Sequence, residues 1–146
     1  EVREGKKSAE SVSAWAEKRQ LESRENLVFI APEETLSSYE LIGRAKFTLV
    51  YNSSIGLEAV ILGCPVLCAG KARYTDSQTV FYPQSSAAYR SQLRSFLEKN
   101  TIELPEKQLE NARKFLYFQL YRSSLPHKRL ADEQYRQCRR YRSGNQ

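Results

Sequence analysis

Two apolar runs on either side of a helix-length segment, between residues 46 and 70, constrain the fold of this chain most. The runs "KFTLVYN" and "CPVLCAG" each have the pattern of one buried strand. Between them, "SSIGLEAVIL" has the length of a short helix, which Gly63 ends in the usual place for a C-terminal glycine. Strand, helix and strand in this order predict two parallel strands joined by a right-handed crossover.

A first unit of the same kind is predicted directly upstream. "NLVFIAP", closed by Pro32, has the pattern of a buried strand. Ser37 and Glu40 form an S-x-x-E capping box that opens a helix of about two turns. All three predicted strands are continuously apolar, which is typical of a parallel sheet with helices on both faces. The sequence therefore predicts an α/β domain.

Further helices are predicted on either side of these two units. Residues 7–25 have a mostly polar helical pattern with a thin apolar side. After the third strand, a loop with a short strand at residues 80–82 leads to a helix that Ser85 or Ser86 caps. A longer helix follows, with Pro105 in its first turn, and a basic helix is expected at the C-terminus.

Charge divides the chain into two parts. Of its 23 basic and 17 acidic residues, residues 1–110 hold 14 and 15, and residues 111–146 hold nine and two. The net charge is therefore −1 in the first part and +7 in the second. Because 146 residues suit one domain with a real core, we expect that domain over residues 1–110. Residues 111–146 are expected to form a basic, tyrosine-rich helical segment packed on it.

Composition argues against several classes of protein. No apolar run approaches the ~18 residues of a membrane span, and the charged start does not resemble a secretory signal. Three cysteines without such a signal predict reduced thiols and a cytoplasmic protein. With the single His127 they do not match zinc-ligand spacing, so no metal site is predicted. The chain has no methionine, and we expect it to be a piece of a longer protein.

The most informative candidate site is the loop at residues 52–56. Ligands of open parallel sheets bind beyond the carboxyl ends of the strands, here predicted at residues 31–37, 52–56 and 69–74. Ser53 and Ser54 stand where a strand gives way to a helix, and the start of a helix attracts anions such as phosphate. Gly56 lets a ligand approach the backbone closely. Ordinary helix capping by a serine is the structural alternative.

Glu58 is harder to explain by capping. The box partner of Ser54 would be Leu57, so the carboxylate is one residue too late. A carboxylate in an otherwise apolar helix is costly unless it faces a cleft or finds a partner. Accepting hydrogen bonds from a ribose diol is one such use, and a salt bridge to Lys71 or Arg73 is the alternative.

The C-terminal segment interleaves tyrosines with basic residues. Such a pattern is typical of a solvated helix with its tyrosines packed inward, which is the interpretation that we favour. Contact with anionic lipid is the second alternative and nucleic-acid binding the weakest.

The stretch "SSYELIGRAKFTLVYNSSIGLEAVILGCPVLCAGKARY" resembles the donor-binding half of bacterial capsular polysaccharide biosynthesis proteins, the group that includes the Kdo-transferring capsule enzymes. The family pattern is S-Y-x-L-I, an apolar strand, N-S-[ST]-x-G-x-E-A, then G-x-P-V with an aliphatic strand, then G-x-x-x-Y. The close match covers roughly residues 27–75. Its matching residues are Ser38, Tyr39, Leu41, Ile42, Asn52, Ser53, Ser54, Gly56, Glu58, Ala59, Gly63, Pro65, Val66, Gly70 and Tyr74.

The resemblance implies a Rossmann-like, three-layer α/β/α domain that forms the C-terminal half of a GT-B glycosyltransferase. By this analogy Ser53, Ser54 and Gly56 would lie against the donor phosphate, and Glu58 would bind the ribose. The other residues implied at the donor site are Ser37, Ser38, Asn52, Lys71 and Tyr74. Catalytic residues are not assigned by it.

The substrate implied is a nucleotide-activated sugar, for which a CMP-linked sugar is one candidate, with no separate cofactor. The implied partners are the acceptor-binding N-terminal domain of the same protein and, at the periphery of the inner membrane, lipid or export machinery. Without that N-terminal domain, the chain is not expected to catalyse transfer alone. Alternatives are the corresponding half of a sugar-nucleotide epimerase or glycerophosphate transferase, or a non-catalytic module that binds nucleic acid or membrane through the basic segment.

Overall fold

A computed structural model describes residues 11–31 and 34–123 of the chain. The chain divides into two compact units, Glu1–Ser38 and Tyr39–Gln146. The described part of the first unit contains helix α1 (Val12–Lys18) and a 3₁₀ turn (Leu21–Ser23). From residue 38 the elements are α2 (Ser38–Arg44), β1 (Thr48–Val50), α3 (Ile55–Ile61), β2 (Val66–Cys68), a 3₁₀ turn (Thr75–Ser77), α4 (Ser86–Glu98), α5 (Glu106–Phe118) and a π-helical turn (Gln119–Ser123).

Helix α1 is shorter than the helix predicted over residues 7–25. Its start is capped by Ser11, whose Oγ accepts a hydrogen bond from the amide of Ala14 at 3.0 Å. The helix ends at Lys18, and Gln20 takes a left-handed backbone conformation with φ 51°, which a continuing helix does not allow. Residues 1–10 lie outside the described part of the chain.

The strand predicted in "NLVFIAP" is wrong for the described residues, 26–31. The backbone amides there bond locally, that of Leu27 to the carbonyl of Arg24 at 3.1 Å and that of Ala31 to the carboxylate of Glu34 at 2.8 Å. Val28 is 85% exposed. Local turns thus take the hydrogen bonds that a strand would give to a neighbour, so the first predicted strand–helix–strand unit is not formed.

The second predicted unit is confirmed. Strands β1 and β2 are parallel, with α3 between them, and Leu49 pairs with Leu67 at the centre of the register. Phe81 forms an isolated parallel bridge to Leu67, which is less than the strand predicted at residues 80–82. The described chain is therefore a mixed α/β structure with a small parallel sheet.

Helices α3 and α5 surround the core around β2. All three residues of β2 are buried, as its continuous apolar pattern predicts. Val60 of α3 and Ala112 of α5 are fully buried in the same cluster. Burial on both faces does not extend to β1, where Leu49 is 49% exposed.

The sequence signals for the end of α3 and for the starts of α4 and α5 agree with the structure. Gly63 follows α3 with φ +89°, a conformation that favours glycine. Ser85 caps α4 by accepting a hydrogen bond from the amide of Ala88 at 3.1 Å. Helix α5 begins directly after Pro105 and continues across residue 110, where charge predicted a division. The predicted basic C-terminal helix lies outside the described residues.

Candidate functional site

The parallel pairing of β1 and β2 brings the predicted site loops together. Beyond the last paired residues, the amide of Ala69 donates to the carbonyl of Val50 at 2.9 Å, and the amide of Gly70 donates to that of Tyr51 at 2.6 Å. The loops at residues 51–54 and 69–74 therefore leave the sheet side by side. This is the edge at which open parallel sheets bind ligands.

Tyr74 fastens these two loops to each other. Its side chain is buried, and its hydroxyl donates a hydrogen bond to the carbonyl oxygen of Ser53 at 2.5 Å. The Cys68 thiol donates to the carbonyls of Tyr51 and Gly70 at 3.1 Å each. Burial, and to a lesser degree the charge and hydrogen bonding of Cys68, raises the pKa of Tyr74 well above its usual range. Tyr74 is thus a neutral donor that holds the shape of the site edge.

Gly56 is required by this arrangement, independently of any ligand. A Cβ atom at this position would lie 2.6 Å from the hydroxyl oxygen of Tyr74 and 3.0 Å from Cγ2 of Val50. Gly56 was predicted to let a ligand approach the backbone closely, whereas the group that lies against it in the structure is a side chain of the protein.

The two serines do little to cap α3. Ser54 occupies the N-cap position with helical backbone angles, φ −59° and ψ −25°, and its side chain makes no capping hydrogen bond. The Oγ of Ser53 accepts only a long bond, 3.5 Å, from the amide of Ile55. Both serines are exposed. Capping, the structural alternative for these residues, therefore leaves both hydroxyls largely available.

Some backbone amides at the start of α3 donate hydrogen bonds within the protein, and others have no acceptor in the described chain. Those of Gly56 and Leu57 bond to the carbonyls of Ser53 and Ser54, at 3.1 and 3.0 Å. The amide of exposed Asn52 and the amides of the two serines have no acceptor among residues 11–31 and 34–123. The polar groups left for a ligand thus belong to the loop before the helix.

The carboxylate of Glu58 has a hydrogen-bond partner that the sequence did not predict. The hydroxyl of Tyr39 donates a hydrogen bond to the Glu58 carboxylate, which is half-buried between the buried residues Leu57 and Ala59. This hydrogen bond, together with the negative charge of Glu58, raises the pKa of Tyr39. The resemblance motif includes Tyr39, and that was the one sequence signal for its role.

The predicted alternative for Glu58, an ion pair with Lys71 or Arg73, is wrong. Lys71 pairs instead with Asp76, with Nζ and Oδ2 3.1 Å apart and both side chains exposed. Within the described part of the chain, no basic side chain lies within ion-pair distance of Glu58. The carboxylate therefore keeps acceptor capacity beyond its bond to Tyr39.

Two further predicted site residues stand in the segment before Tyr39. Ser37 and Ser38 lie at the start of α2, both exposed, and belong to the unit Glu1–Ser38. A pocket of about 540 Å³ lies beside the 3₁₀ turn Thr75–Ser77 and contains none of the predicted site residues. It is lined by Thr75, Asp76, Gln78, Val80, Phe81, Tyr82, Gln84, Pro105, Lys107 and Gln108.

The described residues contain no cluster of three or more histidine, cysteine or acidic side chains that could hold a metal ion. Comparison of the chain with protein-family models, with curated proteins and with solved structures finds no match in any of the three.

Proposed function

We propose that this chain is the donor-nucleotide-binding domain of a cytoplasmic glycosyltransferase of capsular or surface polysaccharide biosynthesis. In this proposal the α/β unit is part of a Rossmann-like, three-layer domain that forms the C-terminal half of a GT-B enzyme. The motif resemblance over residues 38–74 suggests the family. The observation that carries the proposal is the position and pairing of Glu58.

Glu58 has the properties of a diol acceptor. It lies about one turn into α3, and the hydroxyl of Tyr39 donates a hydrogen bond to its carboxylate. A carboxylate has about four acceptor positions, so one hydrogen bond leaves room for the two hydroxyls of a ribose. Hydrogen bonds to a charged acceptor are stronger than those to a neutral acceptor. Binding of the ribose by the carboxylate would therefore weaken when one of the two ribose hydroxyls is missing. A half-buried carboxylate without a cationic partner is otherwise unfavourable.

The neighbouring loop suits a phosphate. The hydroxyls of Ser53 and Ser54 are exposed and nearly unused, and three consecutive amides from Asn52 have no acceptor in the described chain. Donors of this kind stabilise the charge that develops on a leaving phosphate without a protein nucleophile. The acceptor substrate and the groups that activate it would be supplied by the N-terminal half of the enzyme.

Nucleotide titration of the protein tests this proposal. CMP, UMP and UDP, each with its 2′-deoxy counterpart, are added to wild type, to Glu58→Ala and to Glu98→Ala, a control that removes an exposed carboxylate of α4. We expect wild type and control to prefer a ribonucleotide over its 2′-deoxy form by roughly ten-fold, since a hydrogen bond to a charged group contributes about 1.5–3 kcal/mol.

Glu58→Ala is expected to bind both forms equally and weakly. Unchanged ribonucleotide affinity in this variant, or equal binding of both forms by wild type, would refute the assignment. The nucleotide with the largest effect also separates a glycosyltransferase from a sugar-nucleotide epimerase or a glycerophosphate transferase with a similar half-domain.

A further inference from the structure

The C-terminal end of α5 and the π-helical turn after it expose four large apolar side chains. They form what we term the aromatic patch: Tyr117, Phe118, Leu120 and Tyr121, which are 60%, 57%, 54% and 71% exposed. The rings of Tyr117 and Tyr121 are in contact, with centroids 5.0 Å apart. Tyr117 and Tyr121 therefore do not pack inward, contrary to the interpretation favoured by the sequence, and the other tyrosines of the segment, Tyr135 and Tyr141, lie outside the described residues.

The aromatic patch is not the core-facing side of α5. That side is formed by Ala112, which is fully buried, with Phe115 and Leu116 packed against the core cluster. A surface helix normally presents polar residues opposite its buried stripe. Helix α5 instead ends with a second apolar surface, and exposed patches of this kind mark interaction sites.

Basic residues flank the aromatic patch along the chain. Arg113 and Lys114 lie one turn before it and Arg122 directly after Tyr121, all exposed. Lys114 pairs with Glu110 at 2.6 Å. Residues 111–131 contain no acidic side chain, and residues 111–146 carry nine basic and two acidic residues. An anionic partner is therefore favoured, and association with a second copy of the same basic patch is disfavoured by repulsion.

We propose that the aromatic patch is a peripheral docking surface for an anionic phospholipid bilayer. Tyrosine and phenylalanine rings suit the boundary between headgroups and acyl chains, and neighbouring arginine and lysine attract anionic headgroups. Leu120 adds aliphatic surface that inserts into acyl chains and has no face on which a nucleobase could stack. No helix of the described residues is long and apolar enough to cross a membrane. The proposed docking lies at the membrane surface and uses none of the residues assigned to the nucleotide site.

Vesicle flotation of the full chain tests the proposal. The probes are vesicles of phosphatidylcholine alone and of phosphatidylcholine with one quarter phosphatidylglycerol. The patch variant carries Phe118→Ser, Leu120→Ser and Tyr121→Ser. The matched control carries Leu62→Ser and Leu97→Ser, which replace leucines that are 57% and 60% exposed elsewhere on the surface. Circular dichroism verifies that both variants are folded.

We expect wild type and control to float with the anionic vesicles, and the patch variant to partition at least ~10-fold less, because most of its insertable apolar area is removed. Raising the salt concentration should weaken binding of wild type, since screening reduces headgroup attraction. Failure of wild type to bind, or equal binding by the patch variant, would overturn the proposal. The proposal is also overturned if wild type does not bind vesicles but self-associates or binds a single-stranded oligonucleotide, and the patch variant loses that property.

Discussion

Gly56→Ala offers the most direct test of how the site edge is built. The new Cβ would lie 2.6 Å from the hydroxyl oxygen of Tyr74 and 3.0 Å from Cγ2 of Val50. Ordinary van der Waals contacts of a carbon atom begin near 3.5 Å, so the new Cβ and the Tyr74 hydroxyl would have to separate by roughly 1 Å. Tyr74 is only 4% exposed, and its hydroxyl is held by the carbonyl of Ser53. The ring therefore has little room to retreat without breaking that bond.

The expected cost follows from these contacts. Overpacking a core by one methyl group costs about 1–3 kcal/mol, and the lost Tyr74 hydrogen bond adds about 1 kcal/mol. Alanine has a higher helix propensity than glycine, which offsets about 1 kcal/mol of this destabilisation. We therefore expect Gly56→Ala to lower the free energy of unfolding by about 1–3 kcal/mol. Urea denaturation followed by circular dichroism measures this difference.

A double-mutant cycle with Tyr74→Phe isolates the responsible contact. Without the hydroxyl, the nearest ring atom is Cζ at 3.4 Å, an ordinary contact, while the contact with Val50 remains. Gly56→Ala should consequently cost about 1 kcal/mol less in the Tyr74→Phe variant than in wild type. Equal costs in the two backgrounds, or a Gly56→Ala variant as stable as wild type, would refute the argument.

Three further predictions use other features of the chain. Gly63→Ala should cost about 1 kcal/mol because residue 63 has φ +89°, whereas Gly43→Ala, with no atom within 4 Å of the new Cβ, should be neutral or stabilising; equal urea midpoints for the two would contradict this. Ser85→Ala should lower the free energy of unfolding by about 1 kcal/mol in the same assay, since it removes the cap of α4, and a neutral result would show that the cap is dispensable. Glu58→Gln should lower the raised pKa of Tyr39 toward its usual value near 10, as read from the tyrosine ring carbons by NMR between pH 9 and 12. Because the folded-state pKa of Tyr39 is raised, the stability that this pair contributes is present below pH ~10 and is lost as pH rises through the folded-state pKa; an unchanged Tyr39 titration in Glu58→Gln would exclude the pair.

The sequence predicted the parts of the fold that depend on neighbouring residues. The unit from β1 to β2, the end of α3 at Gly63 and the capping of α4 by Ser85 were all predicted and are present. The two helix ends rest on backbone angles and hydrogen bonds within a few positions of the residue concerned, and the strand–helix–strand unit was predicted from its apolar periodicity. The strand predicted in "NLVFIAP" is absent over its described residues, 26–31, because an apolar run becomes a strand only when another strand pairs with it.

The candidate site was predicted only in outline. The sequence singled out Ser53, Ser54 and Glu58; the two serines follow the carboxyl end of β1, and Glu58 lies about one turn into α3. It did not show that Tyr39, 19 positions from Glu58, donates to its carboxylate. Nor did it show that Lys71 pairs with Asp76 and leaves Glu58 without a cation. Side-chain partners of this kind depend on where the chain returns in space.

A parallel strand–helix–strand unit and a polar loop at its carboxyl end could be predicted from the amino-acid sequence, because both follow from periodicity and from local backbone preferences. The close contact between Gly56 and the hydroxyl of Tyr74, and the outward orientation of the tyrosines at the end of α5, could be seen only in the folded structure. Burial and close contact are set by residues distant along the chain. For that reason, a glycine that suggested a ligand proved to accommodate a side chain, and a helix expected to bury its tyrosines presents them as a surface.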